Sequence, residues 1–293
     1  MSSKNVHTGK LYSKDNWQMT AFGRMTSYID KIDKSSISNI LDLGCRNGRA
    51  TEQLSLTFPK AKITAIETNE QRLEEAVKRN ANNPNISHEL LALQQVEELI
   101  NRGVKYDLIN ANFSLHWLSK EEKYKLFSNL EAITADKSHI IIGSCQQFPT
   151  FIKVLDCEIK KYLGISLECP HYLHYFNYEE WTDFLKEYGY KVSKEYQWLD
   201  LHPVRVSADL YDPENYLASW LFGVSTGKAA YGRKPEDFSK EFIDGLLELI
   251  INHYGCSKYY DIENDCIRTE FKKGMKLASF TEETLTIAAT KGC

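Results

Sequence analysis

The chain is poor in the features that announce a metal centre, a disulfide scaffold or a membrane anchor. Its seven cysteines, Cys45, Cys145, Cys157, Cys169, Cys256, Cys266 and Cys293, are odd in number and nowhere form a C-x-x-C pair. Neither a zinc knot nor a paired disulfide framework is therefore expected, and reduced thiols in a cytoplasmic protein are the simpler reading. No apolar run approaches the roughly 20 residues needed to span a bilayer. The polar opening MSSKNVHTGK lacks the apolar core of a secretory signal. Positive charge is also scarce, with 36 Lys and Arg against 40 Asp and Glu and a net charge of -4. The one local basic cluster, Lys272, Lys273 and Lys276, reads as a solvated helix face, so no nucleic-acid partner is expected. Repeats and low-complexity tracts are absent.

What is present is an alternation of short apolar runs with amphipathic stretches. Strands are expected at Asn39–Leu43, Lys62–Ile66, His88–Leu93, Tyr106–Ala111 and His139–Gly143. Helices are expected between them at Thr51–Phe58, Asn69–Asn80 and Lys120–Ile133. That order implies parallel βαβ units, and the nearly continuous apolar character of the strands implies cover on both faces. The expected fold is α/β, a doubly wound and mostly parallel seven-stranded sheet. Before it, Trp17–Ile32 places Phe22, Met25, Ile29 and Ile32 at helical spacing and predicts a helix folded over the sheet edge. Beyond it come a helix at Trp181–Tyr188, a strand at Lys191–Leu199, helices at Pro213–Phe222, Pro235–His253 and Ile267–Leu277, and a closing strand at Thr284–Ala289. The organisation predicted is a helical lid over 1–36, a core over 37–202, a helical cap over 203–280 and a return to the core over 281–293.

The most informative segment is Asp42-Leu43-Gly44-Cys45-Arg46-Asn47-Gly48, which follows a strand and opens a helix. Glycines let such a turn bend tightly and approach a ligand, and the free N–H groups of the next helix point at it. In a doubly wound sheet this turn lies at the carboxyl ends of the strands, where ligands bind. Glu67 ends the second strand 19 residues after Gly48, where a carboxylate would accept bonds from ribose hydroxyls. A dinucleotide is disfavoured because Arg46 replaces the glycine that admits a pyrophosphate. The segment instead resembles the D-x-G-x-G-x-G motif of the class I methyltransferases, which implies S-adenosylmethionine as cofactor. The resemblance implies that Asp42 holds the cofactor's ammonium through the loop and a water. Gly44 would pack under its methionine part, and Glu67 would hold the ribose. Gly48, Thr68 and Asn112 join this binding set, and Gln95 stands where an amide oxygen would accept from the adenine amino group. Arg46 departs from the motif. Either the turn avoids a positive φ there or binding is weakened.

After the fourth strand comes Ser114-Leu115-His116-Trp117-Leu118. This string resembles the plant salicylate and jasmonate carboxyl methyltransferases, with similar strings in juvenile hormone acid and trans-aconitate methyltransferases. The resemblance implies O-methylation of a small carboxylic acid, with Trp117 and an N-terminal Gln18 binding the acceptor carboxylate and His116 beside it. Such an acceptor is ionised at neutral pH and needs no general base. Two alternatives remain open: an acceptor that is an amine, a carbon or a phenol, with His116 as base, and a non-catalytic partner subunit. Cys169-Pro170-His171-Tyr172-Leu173-His174 lacks a second ligand pair at zinc spacing, so no metal is expected. With Tyr175 and Phe176 it is expected to line an apolar pocket, to which Trp198, Tyr211, Tyr216 and Trp220 would add. Gly223–Ala229 lacks the spacing of a phosphate loop and reads as a plain loop.

Overall fold

The computed structural model describes residues 16–145, 157–164, 174–207, 235–254, 259–261, 266–268 and 277–292. The Pro213–Phe222 helix, the Cys169–Leu173 segment, the Gly223–Ala229 loop, and Tyr211, Tyr216 and Trp220 lie outside the described residues. Seven strands form one sheet: β1 (Asn39–Leu43), β2 (Lys62–Glu67), β3 (Ile86–Leu90), β4 (Tyr106–Asn112), β5 (Thr134–Cys145), β6 (Tyr190–Ser207) and β9 (Leu277–Lys291). The order across the sheet is β3-β2-β1-β4-β5-β9-β6. β3 through β5 pair in parallel, and β9 runs antiparallel to β5. A separate ribbon joins β7 (Tyr259–Asp261) to β8 (Cys266–Arg268).

Strand side chains alternate between two cores, as a period of two requires. Leu41, Leu43, Ile109, Ala111, Ile140 and Ile142 enter one core, while Ile40, Ile63, Leu108 and Ile141 enter the other. The helices α1 (Asn16–Ile29), α2 (Arg49–Thr57), α3 (Glu70–Arg79), α4 (Lys120–Ile133), α5 (Tyr178–Glu187) and α6 (Lys240–Tyr254) are assigned by the same logic. Met25, Tyr28 and Ile29 of α1 and Leu54 of α2 cover the second core, whereas Leu126, Phe127 and Leu130 of α4 and Trp181 and Phe184 of α5 cover the first. Capping boxes start α4 at Ser119 with Glu122 and α5 at Asn177 with Glu180, each satisfying two backbone donors.

Four expectations change. Helix α1 ends at Ile29 and packs on a sheet face rather than over the edge. Its Tyr28 hydroxyl is pinned to His139 Nδ1 at 2.6 Å and to Thr290 Oγ1 at 2.9 Å. The third strand lies at Ile86–Leu90, because β3 pairs with β2 only as far as Glu67↔Leu90, and Leu93–Arg102 then turns in 3-10 fashion. Ile267 belongs to β8, paired with Tyr260, and Leu277 begins β9. Both ends of the helix expected there are thus strand, and residues 269–276 between them lie outside the described residues. Finally, β6 runs through Pro203 to Ser207, so the stretch 203–280 contains strand as well as helix. Trp198 is partly buried and packs against the core of Ile40 and Leu54.

One compact unit comprises residues 16–147, 171–200 and 283–293 and carries the parallel strands. The remaining described residues, within 148–170 and 201–282, belong to a second unit. In that unit Tyr162 stacks on Phe242 with ring centroids 3.9 Å apart, and Ile159, Ile243 and Leu246 are buried. Among the described residues no helix is long and apolar enough to cross a membrane.

Candidate active site

The strand order reverses between β1 and β4. The chain leaving β1 enters α2 on one face of the sheet, and the chain leaving β4 enters α4 on the other. Two loops that diverge in this way open a crevice at the carboxyl edge, the place where doubly wound sheets bind ligands. The turn after β1 and the loop after β4 both lie at this edge.

Gly44 and Gly48 hold φ of 78° and 77°, the left-handed region that glycine enters without penalty. The N–H groups of Gly44 and Cys45 both donate to the Ile66 carbonyl at 2.9 Å, which ties the turn to the end of β2. A Cβ on Gly44 would stand 2.6 Å from Ser114 Cβ, and one on Gly48 would stand 2.9 Å from Ala76 Cα. Both glycines thus permit protein–protein contact, Gly44 with the loop after β4 and Gly48 with α3. Arg46 does not avoid the left-handed region, having φ 53°. That conformation costs a non-glycine residue roughly 1–2 kcal/mol.

Asp42 is buried, and both its oxygens are engaged. Thr51 Oγ1 donates to Oδ2 at 2.6 Å and Asn110 Nδ2 to Oδ1 at 2.7 Å. Burial pushes its carboxyl up to about 6, against the lowering effect of these two bonds. Asp42 therefore knits β1 to α2 and β4. Thr51 and Asn110 were not anticipated, and the motif alone offers no sign of them. Glu67 is nearly buried at the tip of β2. Its Oε2 accepts from the Arg46 N–H at 2.9 Å, and its Oε1 accepts from the Thr68 N–H at 2.9 Å and the Asn69 N–H at 3.0 Å. The carboxylate is thus locked against the glycine turn, bordering the crevice. A carboxylate offers about four lone-pair positions, so Oε2 retains capacity for a ribose hydroxyl. The donor set fits an adenosine-bearing ligand. Gln95 is exposed, its Oε1 accepts from the Ala92 N–H at 3.2 Å, and its Nε2 donates to Glu98. Asn112 is buried at the end of β4.

His116 and Trp117 form a short 3-10 turn after β4. His116 is 5% exposed, while Trp117 is half-buried and so is not a core aromatic. The His116 ring lies 5.0 Å from that of Trp117 and stacks at 5.0 Å on Tyr175. The His174 N–H donates to the His116 carbonyl at 2.8 Å, fixing the 174–176 segment beside the turn. Lys123 completes the assembly. Its Nζ donates to the carbonyls of Leu118 and His174, both at 2.6 Å, and sits 4.7 Å from the Phe176 ring centre. Burial lowers Lys123 to about 8, opposed by Glu122, Glu180 and Glu121. The sequence did carry a signal here, since Lys123 falls on the same stripe of α4 as Leu126, Phe127 and Leu130. Gln18 belongs to α1, and its side chain lies outside the described residues. No group of three metal-ligating side chains occurs among the described residues.

Burial, with the charges of Arg46 and Lys123, holds the His116 imidazole well below its ordinary 6.5, so it is neutral in the folded protein. Its folded-state value is depressed, so its stabilising contribution is complete above the unfolded value and is lost as pH falls below about 6.5. Relative to wild type, His116→Phe should therefore gain up to about 1.4 kcal/mol for each pH unit below that point. Urea denaturation at pH 7.5 and 5.5 reads this directly. A difference between the two proteins that stays constant with pH would refute the buried neutral imidazole.

Residues 40–137 match the methyltransferase domain family. Over 110 residues the chain is 36% identical to a malonyl-[acyl-carrier protein] O-methyltransferase of Bacillus anthracis, covering 36% of this chain and 39% of that protein. It is 31% identical over 102 residues to a trans-aconitate 2-methyltransferase of Paracidovorax citrulli, covering 34% and 37%. The alignments thus span under two fifths of either relative. The crystal structure of the YcgJ protein of Bacillus subtilis superposes with a TM-score of 0.58 at 12% identity, covering 94% of this chain and 99% of that one, which shows a shared fold. The glycine turn after β1, the locked carboxylate at the tip of β2 and the loop after β4 therefore all lie within the stretch that matches the methyltransferase domain family, on a sheet of the fold shared with that structure.

Proposed function

We propose that this chain is an S-adenosylmethionine-dependent O-methyltransferase that esterifies the carboxylate of a small acid. The observation that carries the cofactor assignment is Glu67, held by three backbone N–H groups beside the switch-point crevice with acceptor capacity to spare. The relatives named for malonyl-[acyl-carrier protein] and trans-aconitate both have acceptors that bear carboxylates, which supports the acid. When bound, the cofactor supplies an activated methyl group. The chain's own residues would bind, orient and exclude water. Glu67 accepts from ribose hydroxyls, and the Trp117 indole N–H and the Gln18 amide donate to the acceptor carboxylate. The stacked His116 and Tyr175 rings keep water from that side. A carboxylate with a pKa near 4 is already ionised at neutral pH, so no proton need be removed. Orientation in a near-attack geometry supplies up to ~7–11 kcal/mol.

Product mass analysis against a panel of di- and tricarboxylic acids tests the proposal. Base-labile methyl esters are the expected products, and Trp117→Ala should lower kcat/KM by about a hundredfold while leaving cofactor affinity unchanged. Methylated amines, carbons or phenols in place of esters would sink the carboxylate assignment. The neutral, buried His116 favours a second reading, in which it acts as base toward a phenol. In that case His116→Ala would cost more turnover than Trp117→Ala. Calorimetry that detects no adenosylmethionine binding would favour a non-catalytic partner subunit.

A further inference from the structure

Three non-glycine residues among those described adopt positive φ: Arg46, Phe113 and Lys137. Two of them face each other across the switch point. Arg46 follows β1 and Phe113 follows β4, with φ of 53° and 54°, and Arg46 Nη2 donates to the Phe113 carbonyl at 3.0 Å. Arg46 is only 7% exposed and Phe113 only 5%. One buried guanidinium therefore straps the two loops whose divergence makes the crevice.

Left-handed backbone in a non-glycine residue persists only where the surroundings impose it, and it concentrates at ligand clamps. Glycine would occupy position 46 without strain. An arginine there makes sense through its side chain. The guanidinium is a planar fork of five donors, permanently charged and matched to the two oxygens of a carboxylate. Its charge is felt inside the site, since it helps keep His116 neutral. Its own backbone N–H meanwhile supports Glu67, so one residue touches both the ribose-side carboxylate and the β4 loop.

We propose that Arg46 is a carboxylate-binding residue of this crevice, exchanging the Phe113 carbonyl for the carboxylate of a bound ligand. The inference rests on the reading of the crevice as an adenosyl-ligand site. Two ligands could present that carboxylate: the amino-acid end of the cofactor, or the acid acceptor.

Isothermal calorimetry separates the sources. The probes are S-adenosylhomocysteine, 5′-methylthioadenosine, which lacks the amino-acid carboxylate, and malonate added to the S-adenosylhomocysteine complex. Arg46→Met removes the charge at similar length. Arg46→Gly removes it while fitting the positive φ, and since both variants lose the bond to the Phe113 carbonyl, retained methylthioadenosine binding reports that the fold of each is intact. If the carboxylate is the cofactor's, both variants weaken S-adenosylhomocysteine at least tenfold and leave methylthioadenosine within threefold of wild type. If it is the acceptor's, both adenosyl ligands bind as before and malonate binding falls at least tenfold. Arg46→Lys should recover part of either loss. Variants that bind all three probes like wild type would overturn the carboxylate role alone. A wild-type protein that binds neither adenosyl ligand would overturn the crevice assignment and this inference together.

Discussion

Glu67→Ala is expected to raise the Kd for S-adenosylhomocysteine by at least about a hundredfold, equivalent to about 2.7 kcal/mol. The magnitude follows from the bonds at stake, because hydrogen bonds to a charged group contribute ~1.5–3 kcal/mol each. Removing the carboxylate also frees the N–H groups of Arg46, Thr68 and Asn69, from which Glu67 now accepts, so the turn keeps only its bonds to the Ile66 carbonyl at the end of β2. Glu67→Gln keeps one acceptor oxygen and should fall between, near tenfold. Calorimetry on the two variants gives the answer, with near-ultraviolet circular dichroism confirming the fold. An alanine variant within threefold of wild type would mean that the acid at the tip of β2 does not touch the ligand.

The largest stability effect should come from Gly44→Ala. The added methyl would lie 2.6 Å from Ser114 Cβ, a backbone-anchored atom that cannot rotate aside, and the residue would remain at φ 78°. Overpacking costs ~1–3 kcal/mol and left-handed strain another ~1–2 kcal/mol. A combined loss of about 3 kcal/mol is a large share of the ~5–15 kcal/mol that holds a typical domain folded. Because the clash has one named partner, it should be relieved by that partner. The double variant with Ser114→Gly should recover at least about 1 kcal/mol relative to Gly44→Ala alone, read by urea unfolding. Strict additivity of the two changes would show that the β1 turn and the β4 loop are not in contact.

These two residues also show how legible the site was. The position of Glu67 at the tip of β2, against the glycine turn, was legible from spacing, because the length of one strand–helix–strand passage fixes how far the next acidic tip lies from that turn. The tight turn at Gly44 was legible too, but not the neighbour that requires it to be small. The motif suggests a glycine kept small for the ligand, whereas the close neighbour is Ser114, 70 positions away in sequence. Asp42 repeats the lesson, since its two oxygens are taken by Thr51 and Asn110. Gln95 lay near the predicted strand end but turned back to cap its own 3-10 segment.

The linear order of residues was enough to determine the layered α/β architecture, the parallel core strands and the edge of the sheet at which the glycine turn lies. Each of these follows from local periodicity, because alternation of two and 3.6 is written in neighbouring residues. Only the folded chain decided that α1 lies on a face, that Lys123 is drawn inside to bridge two carbonyls, and that Arg46 straps β1 to β4. These depend on partners brought together from distant positions. A side chain's hydrogen bonds and burial are properties of the space around it, and no window of sequence contains that space.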